Sequence, residues 1–159
     1  MTSRFFWGLL LFTTLLGGCA GVDRDAPPPI NYGQDICARC GMIIEDPRFA
    51  AGYLTESGES AIFDDIGDML LHQAETGDVV YAYWVHDYET EAWLHAETAF
   101  FVLTPEIHTP MGYGVVALAE EGQATALALR RNGRVLTFAE LQQETATLQV
   151  NHDDTGHNH

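Results

Sequence analysis

The residues FAAGYLTESGESAIFDDIGDMLLHQAETGDVVYAYWV, Phe49 to Val85, change hydrophobic period three times in succession. Phe49 to Thr55 is rich in apolar and aromatic side chains and runs into Glu56-Ser57-Gly58-Glu59, a turn signal, after which Ser60 to Phe63 completes a hairpin. Asp64 and Asp65 then stand where a helix cap is needed, and Ile66, Met69 and Leu70 follow at the i, i+3, i+4 spacing of one buried helical face. Gly77 stops that helix, and Val79 to Val85 is a long apolar and aromatic strand. The order is strand, strand, helix, strand.

The second half repeats it. Ala99 to Leu103 and Gly114 to Leu118 read as strands, joined by a longer loop that contains Thr109-Pro110-Met111-Gly112. Glu120 to Arg131 reads as a helix with Ala124, Leu127 and Ala128 facing inward, stopped near Gly133, and Arg134 to Leu136 as a short strand. A last helix opens on a capping box of Thr137 and Glu140, with Phe138, Leu141, Thr145 and Leu148 along one side. The expected fold class is α+β: two related strand-strand-helix-strand lobes, about 35–88 and 89–150, plus a C-terminal helix.

Upstream, Arg4 supplies a positive start and Phe5 to Leu16 is a twelve-residue apolar run. That is too short for a bilayer, which needs roughly 20 residues, and it has the form of a secretory signal. It ends in Leu16-Gly17-Gly18-Cys19, the pattern of a bacterial lipobox, so residues 1–18 are expected to be cleaved and Cys19 to be acylated. Such an anchor holds a protein on a membrane without a spanning helix. Ala20 rather than Asp after the cysteine favours the outer over the inner membrane, and the expected location is the periplasm. Residues 19–34 read as the acylated N-terminus and a Pro-rich tether, semi-extended because of three successive prolines, that lifts the domain off the membrane.

The chemistry centres on Cys37-Ala38-Arg39-Cys40-Gly41-Met42, three sulfur side chains within six residues. Thiolates and a thioether are soft donors that select Cu(I), or zinc and iron–sulfur where only thiolates are offered. In the oxidising compartment an unliganded pair would tend to close as a disulfide, and the spacing also allows thiol–disulfide exchange. The context for exchange is poor: a Pro-rich stretch precedes the motif, and Gly41 stands where a helix should continue. Gly41 also excludes covalent haem attachment, which requires His there. Met42 favours copper, since a thioether adds nothing to a disulfide. Met111, between Pro110 and Gly112, and His108 are further candidate ligands.

Other groups have plainer readings. His72, His86 and His95 fall in or beside regular elements, and Asp64-Asp65 is explained better as a cap than as a carboxylate pair. Residues 151–159 form a polar tail that carries three of the seven histidines and is suited to loose metal scavenging or to none. Seven basic against 23 acidic side chains, with no Lys, give a net charge of −16, which repels nucleic acid and either attracts cations or a basic protein or serves solubility in a salty habitat with no partner implied. No phosphate loop, nucleophile elbow or basic stripe is present, so an enzyme is not expected.

Together these segments make the chain resemble the NosL-type lipoproteins, accessory proteins for maturation of the copper enzyme nitrous oxide reductase. The resemblance rests on Cys37-Ala-Arg-Cys40-Gly41-Met42-Ile43, on Phe63-Asp64-Asp65 opening a helix, on Trp93 with Ala96 and Ala99, and on Thr109-Pro110-Met111-Gly112-Tyr113-Gly114. It implies two related lobes and a periplasm-facing copper chaperone with no turnover of its own. Its Cu(I) would be taken from a copper donor protein and delivered for the reductase's catalytic copper–sulfide centre. Cys37, Cys40 and Met42 match the thiol–thioether motif and Met111 the Met-Gly loop. Some members carry His just after that Met-Gly pair. Tyr113 stands there in this chain, so either His108 substitutes or the site lacks an imidazole.

Overall fold

The computed structural model describes residues 23–148, so the signal peptide, Cys19 and the tail at 151–159 lie outside the described residues. The chain forms β1 (Ala51–Thr55), β2 (Ser60–Phe63), α1 (Ile66–Thr76), β3 (Val80–His86), β4 (Trp93–His95), a 3₁₀ turn (Ala96–Thr98), β5 (Phe100–Leu103), β6 (Val115–Leu118), α2 (Glu121–Arg130), β7 (Arg134–Thr137) and α3 (Phe138–Gln143). No described helix is long and apolar enough to cross a membrane.

The two halves share one wiring. The first sheet has the order β2-β1-β3-β4 and the second β6-β5-β7. In each, the first strand is central, paired on one side with its hairpin partner and on the other with the strand that returns after the helix. All pairings are antiparallel. β4, a three-residue strand, extends the first sheet and carries the junction between the sheets to Ala96–Thr98, beyond the expected boundary near residue 88. Three residues are too few to show alternation, so β4 carries no readable period.

The central core lies between the sheets. α1 contributes Ile66 and Met69, both fully buried, against Ala51, Tyr53 and Phe63 of the first sheet. The second sheet adds Phe101, Val115, Ala117 and Leu136, and α3 adds Phe138 and Leu141. Full burial of such a side chain stabilises by about 1.5–3 kcal/mol. A second cluster forms where α2 lays Ala124, Leu127 and Ala128 on Val102, Val116 and Leu118, the other face of the second sheet. Asp87 ties the halves together: it bridges to Ala117 and its Oδ2 accepts the N–H of Ala119 at 2.8 Å.

The caps follow the sequence. Asp65 Oδ1 accepts the Gly67 N–H at 2.8 Å, and Gly77 closes α1 in the left-handed region at φ 73°. Thr137 and Glu140 form both halves of the capping box on α3.

One segment departs from expectation. The Pro-rich stretch does not stand free of the domain from Arg24 onward. It lies along the face of the first sheet that the central core does not use, with Pro28 buried over Gly52 and the Tyr32 hydroxyl 3.0 Å from His86 Nε2. A polyproline-type strand needs no ladder hydrogen bonds, so it can cross a sheet face by packing alone.

Candidate metal centre

The cysteine motif is a closed loop hung between strap and sheet. Ile36 and Ile43 bridge its two ends. Within it Cys37 N–H donates to Met42 O at 2.8 Å, and Gly41 N–H to Cys37 O at 3.1 Å. Gly41 sits at φ 75°, a left-handed reversal that suits only Gly without strain. Ala38 N–H donates to Ile62 O, which staples the loop to β2. This geometry turns Cys37 inward, 2% exposed, and leaves Cys40 half-buried and Met42 49% exposed at the rim.

The first turn of α1 meets the two thiols. Cys37 Sγ lies 3.4 Å from Asp68 Oδ2, and Cys40 Sγ 3.4 Å from Asp64 Oδ1. One donor atom from each of these four residues falls within 4.8 Å of every other, which is the spacing a single metal ion requires. Asp68 lies in the first turn of α1 and Asp64 just before its Asp65 cap, and each turns its carboxylate toward one thiol. Asp65, between them, points elsewhere and does the capping. The Asp64-Asp65 pair is therefore divided: the cap explanation holds for Asp65, while Asp64 faces Cys40. Sequence reasoning misses Asp68, because nothing in its spacing reveals that the cysteine loop folds over the start of α1.

Arg39, inside the motif, balances the acids. Its Nη1 donates to Asp68 Oδ1 at 2.8 Å and to the Tyr113 hydroxyl at 3.1 Å, and its Nη2 donates to Glu75 Oε1 at 2.8 Å. Burial pushes both thiols up from their ordinary range. In the metal-free protein at neutral pH both sulfurs therefore hold their protons beside the carboxylates. A metal must displace those protons, because the ligand form is the thiolate.

The Met-Gly loop docks on the same helix turn. Met111 N–H donates to Asp65 Oδ2 at 3.0 Å, and the Tyr113 ring lies so close over Gly67 that an added Cβ would meet it at 2.2 Å. Tyr113 donates to Asp68 Oδ1 at 3.3 Å. Burial carries Asp65 up to about 6 against its hydrogen bonds with Thr109, Gly67 and Met111. Of the five residues expected as ligands, Cys37 and Cys40 come together. Met42 and His108 line one surface cleft of about 320 Å³ to which Asp64, Thr109 and Pro110 also contribute. Met111 is half-buried against the central core. His86 is buried and bonded through Nδ1 to Ala50 O and through Nε2 to Tyr32, so both ring nitrogens are satisfied beneath the strap.

The NosL family model matches residues 30–146. The chain is 30% identical, over 89% of its own length and 85% of the relative's, to the copper-binding lipoprotein NosL of Stutzerimonas stutzeri. Its fold is similar to the crystal structure of the copper chaperone NosL from Shewanella denitrificans, with a TM-score of 0.63 and 20% identity over 72% of this chain and 94% of that one. Both relatives are named for binding or carrying copper, not for catalysis. With its family model spanning most of the chain and a relative at this identity along nearly its whole length, the chain belongs to the NosL family.

Proposed function

We propose that the protein is a lipid-anchored periplasmic copper carrier. It binds Cu(I) from a copper donor protein and passes it on for maturation of the catalytic copper–sulfide centre of nitrous oxide reductase. The observation that carries this reading is the pairing of two thiols with an exposed thioether at the mouth of a cleft. Soft sulfur donors favour Cu(I) over harder cations. The partly exposed side of the site, at Cys40 and Met42, is where an incoming ligand would reach the ion and replace its ligands one at a time. The copper-binding lipoprotein and copper chaperone among its relatives support the same class. The anchor is Cys19, and the relative's name as a lipoprotein supports it. Met42, Met111 and His108 are the proposed sources of the remaining ligands.

The two thiols argue against disulfide exchange as the main activity. An exchange cysteine is activated by a lowered pKa, and burial moves both of these upward. One specific observation favours a second cargo. Asp64 and Asp68 complete a two-sulfur, two-oxygen set that also suits tetrahedral zinc.

The deciding experiment is anaerobic titration of the reduced protein with Cu(I) against a chromophoric chelator, alongside Cys37→Ser/Cys40→Ser. One tightly held Cu(I) in the parent, lost in the variant, is expected. Equal weak binding in both would end the copper reading of the motif.

A further inference from the structure

The strap joins the proposed membrane anchor to the metal loop, and its two ends lie at opposite poles of the first sheet. At its start, Arg24 Nη2 donates to the carbonyl of Glu56 at 3.2 Å, and the guanidinium stands 5.2 Å from the centre of the Tyr81 ring. Halfway along, Pro28 is buried over Gly52, where any Cβ would meet Pro28 Cγ at 2.5 Å. At its end, Tyr32 bonds to His86 Nε2 and Gly33 N–H donates to Ile44 O, immediately before the cysteine loop. On this face Trp84 and His86 are 5% and 3% exposed: the rings of His95 and Trp93 from β4 lie 3.7 Å and 3.6 Å from theirs, and Tyr32 of the strap bonds to His86.

These contacts run from one pole of the first sheet to the other. Glu56 belongs to the turn between β1 and β2, whereas Ala51 pairs with Phe63 at the far end, one residue before Asp64. The strand between the poles is five residues, about 17 Å. From Cys19 to Arg24 the chain has only five residue steps, which reach at most about 18 Å when fully extended.

We propose that the strap sets the attitude of the domain on its membrane. The pole of the Glu56–Gly58 turn, with exposed Val79 and Tyr81, faces the lipid surface, and the cysteine loop with the neighbouring cleft of Met42, Asp64 and His108 lies at the pole away from it. The inference rests on the acylated Cys19 of the proposed function and adds what the anchor alone does not determine. Charge does not hold the domain there, since Glu56, Glu59 and Asp78 cluster at that pole and are repelled by anionic headgroups. The short linker does. Consequently the cleft is presented outward, to a partner that approaches from the periplasmic space, and not to one lying flat on the bilayer.

The test uses the acylated full-length protein in phosphatidylethanolamine/phosphatidylglycerol vesicles that contain a gadolinium-chelate lipid. Nitroxides are attached at Ser57→Cys or His108→Cys, each in a Cys37→Ser/Cys40→Ser background. Mass spectrometry first reports the diacylglyceryl group. The expected result is relaxation enhancement several-fold stronger at position 57 than at position 108. A twelve-residue Gly-Ser insertion after Gly21, upstream of every strap contact, should abolish most of that difference without altering the fold. A chain that carries no lipid overturns the anchor and the proposal with it. An acylated chain with equal enhancement at both positions, or with the stronger effect at 108, overturns the orientation while leaving copper binding untouched.

Discussion

The Cys40 thiol faces the Asp64 carboxylate at 3.4 Å, and this contact places a hard oxygen donor inside a soft site. Cu(I) gains little from carboxylate oxygen, whereas zinc accepts it readily. The pair Asp64→Asn/Asp68→Asn should therefore leave Cu(I) affinity within a few-fold of the parent. Zinc affinity should fall by about 10–100-fold, the scale of lost carboxylate support at a metal site. Competition titrations with both metals on one preparation measure the ratio. A parallel loss of both would mean that the carboxylates hold the thiols in place rather than select the ion.

Proton release gives a second expectation. Burial raises both thiols, so each enters the copper-bound state by losing a proton. Apparent Cu(I) affinity should then rise with pH by about tenfold for each proton released, or about 100-fold per unit for two. Cys37→Ser should halve the logarithmic slope. For the metal-free fold the sign is opposite. The thiols of the unfolded chain ionise near the ordinary value of 9.0, while the folded ones stay protonated. Stability is full below that pH and declines as pH rises above it. Thermal melts of metal-free protein from pH 7 to 10 should show a falling midpoint, and Cys37→Ser/Cys40→Ser should flatten the trend.

Gly67 and Tyr113 offer a packing test. The added methyl of Gly67→Ala falls 2.8 Å from Tyr113 Cβ as well as against the ring, so a simple rotation of the side chain does not relieve it. The substitution should cost about 1–3 kcal/mol, the range for overpacking a tight contact. Tyr113→Ala in the same chain should recover part of the loss. Denaturant melts of the four proteins provide the cycle, and full additivity would show that the two positions do not meet.

Electrostatic steering is measurable in the transfer step. A net charge of −16 creates a field that accelerates encounter with a cationic donor or a basic client patch. Donor-to-protein copper transfer should slow as ionic strength rises and the Debye length falls from about 10 Å at 0.1 M to about 3 Å at 1 M. A rate independent of salt would assign the acidity to solubility alone.

Much of the scaffold was legible from local signals. The hairpin turn, the Asp65 cap, the Gly77 stop and the Thr137 box each depend on a few adjacent residues, and each appears where the sequence puts it. Ser60–Phe63 matches the expected strand at both ends. What escaped depends on tertiary placement. Proline content indicates that residues 24–32 are extended, but only the bare surface of Gly52 tells where they lie. Asp64 and Asp68 became candidate ligands because the cysteine loop folds over the start of the helix, and no local rule foretells that contact. Arg39 was a residue between two cysteines until Asp68 and Glu75 came within its reach.

The shared wiring of the two sheets has an evolutionary reading. If both units descend from one ancestral motif, their helix starts have since been put to different uses. In the first copy, an acid-rich turn meets the thiols; in the second, the helix begins at Glu120 with no side-chain cap at all. The second copy contributes instead the loop that brings His108 and Pro110 to the cleft opposite Met42 and Asp64. Neither copy alone lines the cleft, although all four donors of the thiol–carboxylate cluster come from the first, so the second copy shapes the approach to a site whose thiols and carboxylates it does not supply.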